Sequence, residues 1–389
     1  MHPRYCPWLG SHVIILGLQH RAGGMESLMR NICFYVSDHG WGHAARATAI
    51  AERLTRSAEN VRVYVRADAG FELVNRALRS DLVQVARRRN DIGVKYHPQR
   101  KLEVDADATH SELKRWVNSW DTYIDVEKHY CRSQKIDLII SDIPPQPFMV
   151  AKELGIPSIS VSSFEWHWVY QSMFGPTPEV ARMREAYSLA DLSLLVAPSV
   201  PTDLFSRTKE VGLVTRQKSR SRNEMRRRLS IPEADLLVYV SGGGSLGPLN
   251  MTSAAASLGG RSMRVLVSSN ITWPGALQVP QNDPKSQDYL GACDLVVCKA
   301  GYSTISEAIS ASVPMLLFHN FIEGEWLVRE VKTLGIGDEI TTSAFAEGGW
   351  AARLEALDRW RAAYDNLPAR LRKDGTAEVT EQVLGVVKG

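Results

Sequence analysis

The chain has 389 residues, 44% of them hydrophobic and 23% charged, and a formal net charge of +3 at pH 7. This length is enough for two globular domains, and so small a net charge gives no reason to expect a nucleic-acid partner. No apolar run approaches the roughly 20 residues that a membrane-spanning helix needs. The five cysteines are scattered without the spacing of a zinc or redox site, which predicts free thiols in a reducing, cytoplasmic compartment.

Residues 1–28 precede the first clear strand. An apolar stretch at 8–18, behind Arg4, is similar to a short signal peptide. Met25 and Met29, however, both precede a strand that begins like a natural domain. We therefore interpret residues 1–28 as an N-terminal extension from a mis-set translation start, with a signal peptide as the alternative.

Short apolar runs alternate with helical stretches along the rest of the chain. The predicted strands are ICFYV (32–36), VRVYV (61–65), IDLII (136–140), LLVYV (236–240), RVLV (264–267), DLVVC (294–298) and PMLLF (314–318). Such alternation predicts βαβ units and parallel sheets, and thus an α/β fold with two doubly wound Rossmann-like domains. The predicted domains span 29–212 and 213–370, followed by a C-terminal helical tail at 371–389.

The loop SDHGWGHAAR (37–46) follows the first strand directly, before a helix predicted to start at Ala44. Ligands of open parallel sheets bind at the carboxyl ends of the strands, so this loop should line a crevice. Gly40 and Gly42 allow close backbone approach. The helix N-terminus favours the neutral form of His43, which a general base requires. A histidine that only caps the turn is the alternative.

The segment IISDIPP (139–145) places Asp142 at the carboxyl end of a buried strand, before a helix that Pro144 and Pro145 could open. Asp142 should project into the same crevice as His43, where a carboxylate can orient and stabilise an imidazole. Alternatively, Asp142 caps the following helix. The pairing with His43 favours the functional interpretation.

A basic segment lies near the predicted domain join. Its cations are Arg216, Lys218, Arg220, Arg222 and the run Arg226-Arg227-Arg228. Such a segment could contact an acidic membrane surface or a phosphorylated substrate. A solvated linker and helix face is the simpler interpretation.

Two segments of the second half suit phosphate chemistry. In SGGGS (241–245), Gly243 and Gly244 offer free amides after a strand, unless the segment is a plain turn. In the segment at 298–318, Gly301 follows a strand and Glu307 lies one turn inside the next helix.

Ser303 and Thr304 open that helix. Helix-opening amides and hydroxyls suit a diphosphate, and a carboxylate one turn further suits the hydroxyls of a ribose, so the segment predicts a nucleoside diphosphate. A capping box with Glu307 is the alternative, and both can hold.

These motifs resemble those of the GT-B nucleotide-sugar glycosyltransferases, in which two Rossmann-like domains face each other across a cleft. GHAAR resembles the Gly-His motif of plant small-molecule glucosyltransferases and of the peptidoglycan N-acetylglucosaminyltransferase. LIISDIPPQPFMVAKELGIPSISVSS resembles the segment with the plant enzymes' aspartate, and GYSTISEAISASVP resembles the donor-binding segment. The order of motifs, with FEWHWVY (164–170) and FIE (321–323), is similar to that in the glycosyltransferase-like half of plant L-arabinokinases, from about residue 29 to 365.

The resemblance implies an acceptor-binding first domain and a second domain that binds a nucleotide sugar, with a UDP-sugar as the expected donor and no cofactor. It implies His43 as the base and Asp142 as its partner. The implied contacts to the donor nucleotide are Gly243, Gly244, Gly301, Ser303, Thr304 and Glu307. The implied contacts to the donor sugar or the acceptor are His39, Gly42, Trp166, Tyr170 and Glu323.

The chain also departs from the patterns of these GT-B families in three places. The paired tryptophan and glutamine of the plant donor signature are absent, so the sugar is not inferred. Gly324-Glu325 stands where many relatives have an acidic residue and a glutamine. No sugar-kinase half and no phosphate loop of the form GxxxxGK[ST] follow, so kinase activity has no support.

The sequence thus predicts an inverting, metal-independent glycosyl transfer to a hydroxyl of a small-molecule or glycan acceptor, which Trp166, Trp168 and Tyr170 could stack against. A packed connection is the alternative for these three rings. Two other functions stay open: a nucleotide-sugar epimerase on the same fold, and a nucleotide-sugar-binding protein without turnover.

Overall fold

The computed structural model describes residues 29–99, 103–243, 248–251, 257–258, 261–281 and 283–388. The predicted N-terminal extension therefore lies outside the described residues. In the described part of the chain, no helix is both long and apolar enough to cross a membrane.

Seven parallel strands form the sheet of the first half. They are β1 (Arg30–Val36), β2 (Val61–Arg66), β3 (Val83–Ala86), β4 (Leu138–Asp142), β5 (Ser158–Ser162), β6 (Leu192–Val196) and β7 (Thr208–Val211). Their spatial order is β3-β2-β1-β4-β5-β6-β7. Val36 lies beside Asp142, so β1 and β4 end side by side at the carboxyl edge. The central strands are buried on both faces, as expected for a sheet covered by helices on both sides.

The helices of this half connect successive strands. They are α1 (Trp41–Ser57), α2 (Phe71–Ala77), α3 (Ala106–Asn118), α4 (Trp120–Ser133), α5 (Gln146–Leu154), α6 (Trp166–Phe174) and α7 (Pro178–Tyr187). Helix α1 begins at Trp41, three residues before the predicted start. Gly40, with φ of 92°, occupies the N-cap position and turns the chain from the strand into the helix.

The second half repeats the arrangement around a second sheet. Its strands are β8 (Leu236–Ser241), β9 (Leu249–Asn250), β10 (Ser257–Leu258), β11 (Arg261–Val267), β12 (Ile271–Thr272), β13 (Leu277–Gln278), β14 (Leu295–Lys299), β15 (Met315–Phe318) and β16 (Gly337–Glu339). The main order is β10-β11-β8-β14-β15-β16, with β13 beside β11, while β9 and β12 pair separately. Ser241 lies beside Cys298, so β8 and β14 also end together.

The helices of the second half follow the same alternation. They are α8 (Arg222–Arg228), α9 (Ser286–Leu290), α10 (Tyr302–Ser310), α11 (Ile322–Thr333), α12 (Thr342–Glu347), α13 (Leu357–Ala363) and α14 (Gly375–Lys388), with 3-10 turns at Ala351–Ala356, Tyr364–Asn366 and Ala369–Leu371. The prediction of two doubly wound α/β domains is confirmed.

The C-terminal helix α14 returns to the first half. It packs against α1, and Val379 and Val383 are fully buried in the core of the first sheet. The predicted helical tail is thus a part of the packing of the first half. The predicted boundary at residue 212 stays a prediction.

Candidate active site

A cavity of about 370 Å³ lies between the carboxyl ends of the two sheets. The first half contributes the loop after β1, the first turn of α1 and part of α2, and the second half contributes the ends of β8 and β14 and the first turns of α10 and α11. Ser303 Oγ donates a hydrogen bond to the Gly42 carbonyl oxygen at 2.7 Å, which joins the two halves. A Cβ on Gly42 would lie 3.1 Å from Ser303 Oγ, so the glycine permits this close approach.

Most of the predicted site residues line this cavity. They are His39, Gly42, His43, Gly243, Gly301, Ser303, Thr304, Glu307 and Glu323. Asp142 is fully buried and contacts His43. Gly244 lies outside the described residues, and Trp166 and Tyr170 lie elsewhere in the first half.

His43 and Asp142 form a buried pair at the end of the first sheet. His43 Nδ1 lies 2.8 Å from Asp142 Oδ1. Because an ionised carboxylate can only accept a hydrogen bond, the contact to Asp142 requires the imidazole proton on Nδ1. Arg46 Nη2 lies 3.1 Å from the same nitrogen and then donates to Asp142 Oδ1, not to His43. Neither side chain caps its helix: Gly40 is the N-cap of α1 and Pro145 that of α5, both without a side-chain cap bond. Both capping alternatives are therefore wrong.

Arg46 completes this pair, and our sequence interpretation gave it no role. Its Nε donates to Asp142 Oδ2 at 2.7 Å and its Nη2 to Asp142 Oδ1 at 2.5 Å. The guanidinium is buried and lies over the Tyr302 ring, 4.8 Å from its centroid. The sequence GHAAR could have predicted this role, because His43 and Arg46 are three residues apart and residues with this spacing share one face of a helix. The Asp142 carboxylate therefore accepts hydrogen bonds from the His43 imidazole and from the Arg46 guanidinium at the same time.

The electrostatics of the site keep Asp142 ionised. Burial disfavours the ionised form of Asp142 and so raises its pKa. The positive charges of Arg46 and, to a smaller extent, of His43 together have a larger effect in the opposite direction. The pKa of Asp142 therefore lies below its usual range. Ile143, the next residue, has φ of 80°, a left-handed conformation that is strained for a β-branched side chain. This sharp turn ends β4 directly behind the pair.

His39 is packed among aromatic rings at the same edge. Its ring contacts Trp166 and Phe321 edge-on, with centroids 5.2 and 5.3 Å away. Burial, with the nearby charge of Lys299, holds the pKa of His39 well below its usual range. His39 is therefore neutral at physiological pH and lines the cavity without a charge.

The first turn of α10 faces the cavity from the second half. Its N-cap is Gly301, which has no side-chain cap bond, so the predicted capping box of Ser303 or Thr304 with Glu307 does not form. One amide of this turn, that of Tyr302, instead bonds to the Glu323 carboxylate in the first turn of α11.

Glu307 lies one turn further along α10 and pairs with a residue from the connection after β7. Arg216 donates to Glu307 Oε1 from Nε at 2.9 Å and from Nη2 at 2.8 Å. Arg216 also donates to the Pro284 carbonyl oxygen and to Ser286 Oγ, at 3.1 and 2.9 Å. Both side chains of the ion pair line the cavity.

Glu323 and Lys299 both line the cavity. Glu323 is in the first turn of α11, and its burial raises its pKa although His43 and Lys299 act against this. Lys299 ends β14 and donates to Tyr96 Oη at 2.8 Å. Among the described residues, no group of three or more His, Cys, Asp or Glu side chains is arranged to hold a metal ion.

The aromatic segment at 164–170 needs a correction. Trp166 and Tyr170 are fully buried, and they stack on each other with centroids 5.2 Å apart. Trp166 Nε1 donates to Asp91 and Tyr170 Oη to the Gly93 carbonyl oxygen, both at 2.8 Å. Stacking of an acceptor on these two rings is therefore excluded, and the alternative of a packed connection is correct.

The basic segment also differs from the expectation of a solvated face. Arg216 and Arg226 are buried. Arg222 and Arg226 donate to Asp294, at 2.7 and 3.1 Å. Much of the positive charge is thus used in internal ion pairs. A membrane contact through the segment stays a prediction.

The expected free thiols are found at Cys33, Cys131, Cys293 and Cys298.

The comparisons with curated proteins give two groups of relatives, while no protein-family model matches the chain. The chain is 24% identical over 359 residues to L-arabinokinase of Arabidopsis thaliana, an alignment that covers 88% of this chain and 34% of that protein. It is 32% identical over 143 residues to a chloroplastic monogalactosyldiacylglycerol synthase of Spinacia oleracea, covering 31% of this chain and 27% of that protein. The chain thus matches about a third of the length of these relatives or less.

Solved structures share the whole fold. A UDP-glucosyltransferase from Polygonum tinctorium, capable of glucosylating indoxyl, aligns with a TM-score of 0.63 at 13% identity, over 93% of this chain and 99% of that one. A Medicago truncatula protein complexed with UDP-glucose aligns with a TM-score of 0.58 at 12% identity, over 93% and 99%. The chain has the GT-B fold, and the predicted similarity to GT-B glycosyltransferases and to L-arabinokinase is confirmed.

Proposed function

We propose that this chain is a glycosyltransferase that moves a sugar from a nucleoside-diphosphate sugar to an acceptor hydroxyl, with inversion and without a bound metal. One observation carries the proposal: the cavity brings the His43–Asp142 pair of one sheet to the first turn of α10 on the other. The donor is expected to be a UDP-sugar, since structural neighbours are described as complexes with UDP-glucose and UDP.

His43 is the proposed general base. With its Nδ1 proton donated to Asp142, its Nε2 is the nitrogen that can take the proton of the acceptor hydroxyl. The acceptor oxygen then forms a bond to the anomeric carbon from the face opposite the diphosphate. Asp142 stabilises the imidazolium that results, and Arg46 holds the carboxylate in place through two hydrogen bonds.

The leaving diphosphate is proposed to lie at the first turn of α10. As the bond from the anomeric carbon to the diphosphate oxygen breaks, its electron pair stays on that oxygen. The amides of Ser303 and Thr304 and the Thr304 hydroxyl can stabilise this charge, and Lys299 at the end of β14 adds a positive charge. Ser303 already bonds to Gly42, so its proposed role is to hold the two halves together beside the diphosphate.

Glu307 is proposed to bind the ribose hydroxyls of the donor. Both hydrogen bonds from Arg216 go to Oε1 of Glu307, and the carboxylate can accept more than these two. Arg216 thereby fixes the orientation of the carboxylate toward the cavity. Glu323, beside His43, is the proposed contact to the hydroxyls of the transferred sugar.

A nucleotide-sugar panel tests the proposal. A ligand at 100 times its Kd stabilises the folded state by about 2.7 kcal/mol, so a donor should raise the melting temperature clearly. Incubation of the stabilising donor with candidate acceptors should then release the nucleoside diphosphate. No shift with any nucleotide sugar would refute the proposal. A changed sugar without nucleotide release would identify an epimerase instead, and binding without either reaction a non-catalytic protein.

A further inference from the structure

Trp41 is the large aromatic side chain that the cleft exposes. It is the first residue of α1, it lines the cavity, and 46% of its surface is exposed. The first turn of a helix favours acidic residues and proline, and an exposed indole stabilises neither the turn nor a core. Trp120, Trp166 and Trp350, by comparison, are fully buried. The fold therefore gives no structural reason for an indole at this position.

We infer that Trp41 is the platform of the acceptor subsite and that its ligand is a sugar or a similar polyol. The inference rests on the proposed function and names the acceptor class for that site. Trp41 and His43 lie in the same helical turn and line the same cavity. A ring stacked on the indole would therefore lie in the cavity that the proposed base also lines. Trp41 takes the role that the buried Trp166 and Tyr170 do not have.

The surroundings of Trp41 suit a ligand that is apolar on one face and rich in hydroxyls at its edge. Helix α2 brings Leu73, Glu72 and Arg76 to the cavity beside it. Arg76 Nε lies 3.9 Å from Glu72 Oε2, so an acceptor and a donor of hydrogen bonds stand together there. The C–H face of a pyranose packs on an indole, while its hydroxyls need polar partners of this kind.

A lipid acceptor fits this surface less well. Binding of acyl chains requires a contiguous apolar patch, of the order of several hundred Å². In the described part of the chain, the exposed large apolar side chains are Met29, Trp41 and Val126. Met29 stands at the opposite edge of the first sheet, before β1, and Val126 does not line the cavity. Beside Trp41 the cavity lining includes Glu72 and Arg76, and neither of the other two exposed large apolar side chains belongs to it.

Binding of simple glycosides tests the inference without requiring turnover. The probes are the methyl glycosides of galactose, glucose and arabinose, titrated into the full chain in the presence of saturating UDP and followed by ligand-observed NMR. At least one glycoside should bind saturably. Trp41→Ala should raise its Kd about three- to tenfold, as expected for the loss of one ring contact, and Trp41→Phe should raise it less. Val126→Ala, an equally exposed apolar site outside the cavity, should leave the Kd unchanged.

Three results would overturn the inference: no saturable binding of any glycoside, an unchanged Kd in Trp41→Ala, or saturable binding of dioctanoylglycerol micelles in place of the glycosides. Circular dichroism and the UDP affinity of each variant report whether the fold and the donor half are intact. The proposed function fails by a different result, the absence of any nucleotide-sugar binding, so the two failures are distinguishable.

Discussion

At the residue scale, the Asp142 carboxylate contacts both the proposed general base and a buried arginine. His43 and Arg46 both contact Asp142, and all three side chains are buried. Removing one member of a buried ion pair typically costs about 3–5 kcal/mol because the other charge stays buried. A substitution at Asp142 therefore changes two properties, whereas a substitution at His43 changes mainly the proton transfer.

His43→Ala should reduce turnover by roughly 10² to 10⁴, the usual contribution of a positioned base, while the donor Kd stays nearly unchanged. Asp142→Asn should reduce turnover less but lower the free energy of unfolding, because Arg46 loses its counter-charge. The double variant should be scarcely slower than His43→Ala, since both residues serve one proton transfer. Steady-state kinetics and urea unfolding measure both effects.

A matched control for these variants is His167→Ala, which removes a histidine outside the cavity and should retain activity. Multiplicative losses in the double variant would mean that Asp142 acts independently of His43. An active His43→Ala enzyme would mean that the loop binds substrate without taking its proton.

Glu307→Gln should weaken binding of the donor nucleotide by about 1.5–3 kcal/mol, because the ribose hydroxyls lose a charged acceptor. Gln keeps the size of the side chain, so Arg216 stays in place through Pro284 and Ser286. Calorimetric titration with UDP measures the affinity. Glu325→Gln, on the exposed side of α11, is the control. Equal affinities in both variants would leave Glu307 as a partner of Arg216 alone.

At the element scale, the start of helix α6 holds an acidic residue that burial keeps protonated. Glu165 occupies the N-cap position but makes no cap bond, and its contact to Ser162 Oγ is long, at 3.4 Å. Burial raises the pKa of Glu165 to about 8. This segment packs behind His39 through Trp166, so the aromatic support of the cavity includes a titratable group.

The Glu165 carboxyl should make the protein less stable as the pH rises. Its pKa is near 4.3 in the unfolded chain and about 8 in the folded one. Between these values the folded state binds more protons, so this group lowers the free energy of unfolding by roughly 1.4 kcal/mol per pH unit. Glu165→Gln should remove that slope and make the protein more stable than the wild type at pH 8.

Urea unfolding at pH 5, 6.5 and 8 measures this difference, and Glu185→Gln on the exposed side of α7 is the control. Parallel pH profiles of the wild type and Glu165→Gln would show that Glu165 is ionised in the folded protein at neutral pH.

At the scale of the whole molecule, the two halves are joined by contacts at both sides of the cleft. Tyr302 Oη donates to the Ala197 carbonyl oxygen at 3.0 Å, so α10 is anchored on the first half next to Ser303. Helix α14 crosses back and packs on α1. The second half is thereby connected directly to helix α1, which presents His43.

Val383→Ala, in the C-terminal helix, should destabilise the first half. Val383 is fully buried in the core of the first sheet, and loss of two methyl groups there should cost roughly 1–3 kcal/mol. Hydrogen exchange of the amides of α1 should accelerate, although the substitution is more than 300 residues away in the chain. Glu381→Ala, at an exposed position of the same helix, is the control. Unchanged exchange in α1 would mean that α14 contributes little to the first half.

The sequence by itself determined the α/β class, the two sheets, and which loops and helix starts meet at the carboxyl ends of the strands. Apolar periodicity is a local property, and in parallel sheets functional residues gather at the carboxyl ends of the strands. His43, Asp142 and the first turn of α10 were therefore predicted to meet at one cleft. The resemblance to GT-B proteins rested on the same local motifs.

Only the tertiary structure decided which side chains face the cavity and which partners they have. Arg216 and Glu307 are 91 residues apart, and Arg46 and Asp142 are 96 apart, so each pair depends on the order of strands and the packing of the halves. A tryptophan in the sequence does not show whether its indole is buried, as that of Trp166 is, or exposed, as that of Trp41 is. Burial is set by the neighbours that the fold supplies, and a local pattern does not contain them.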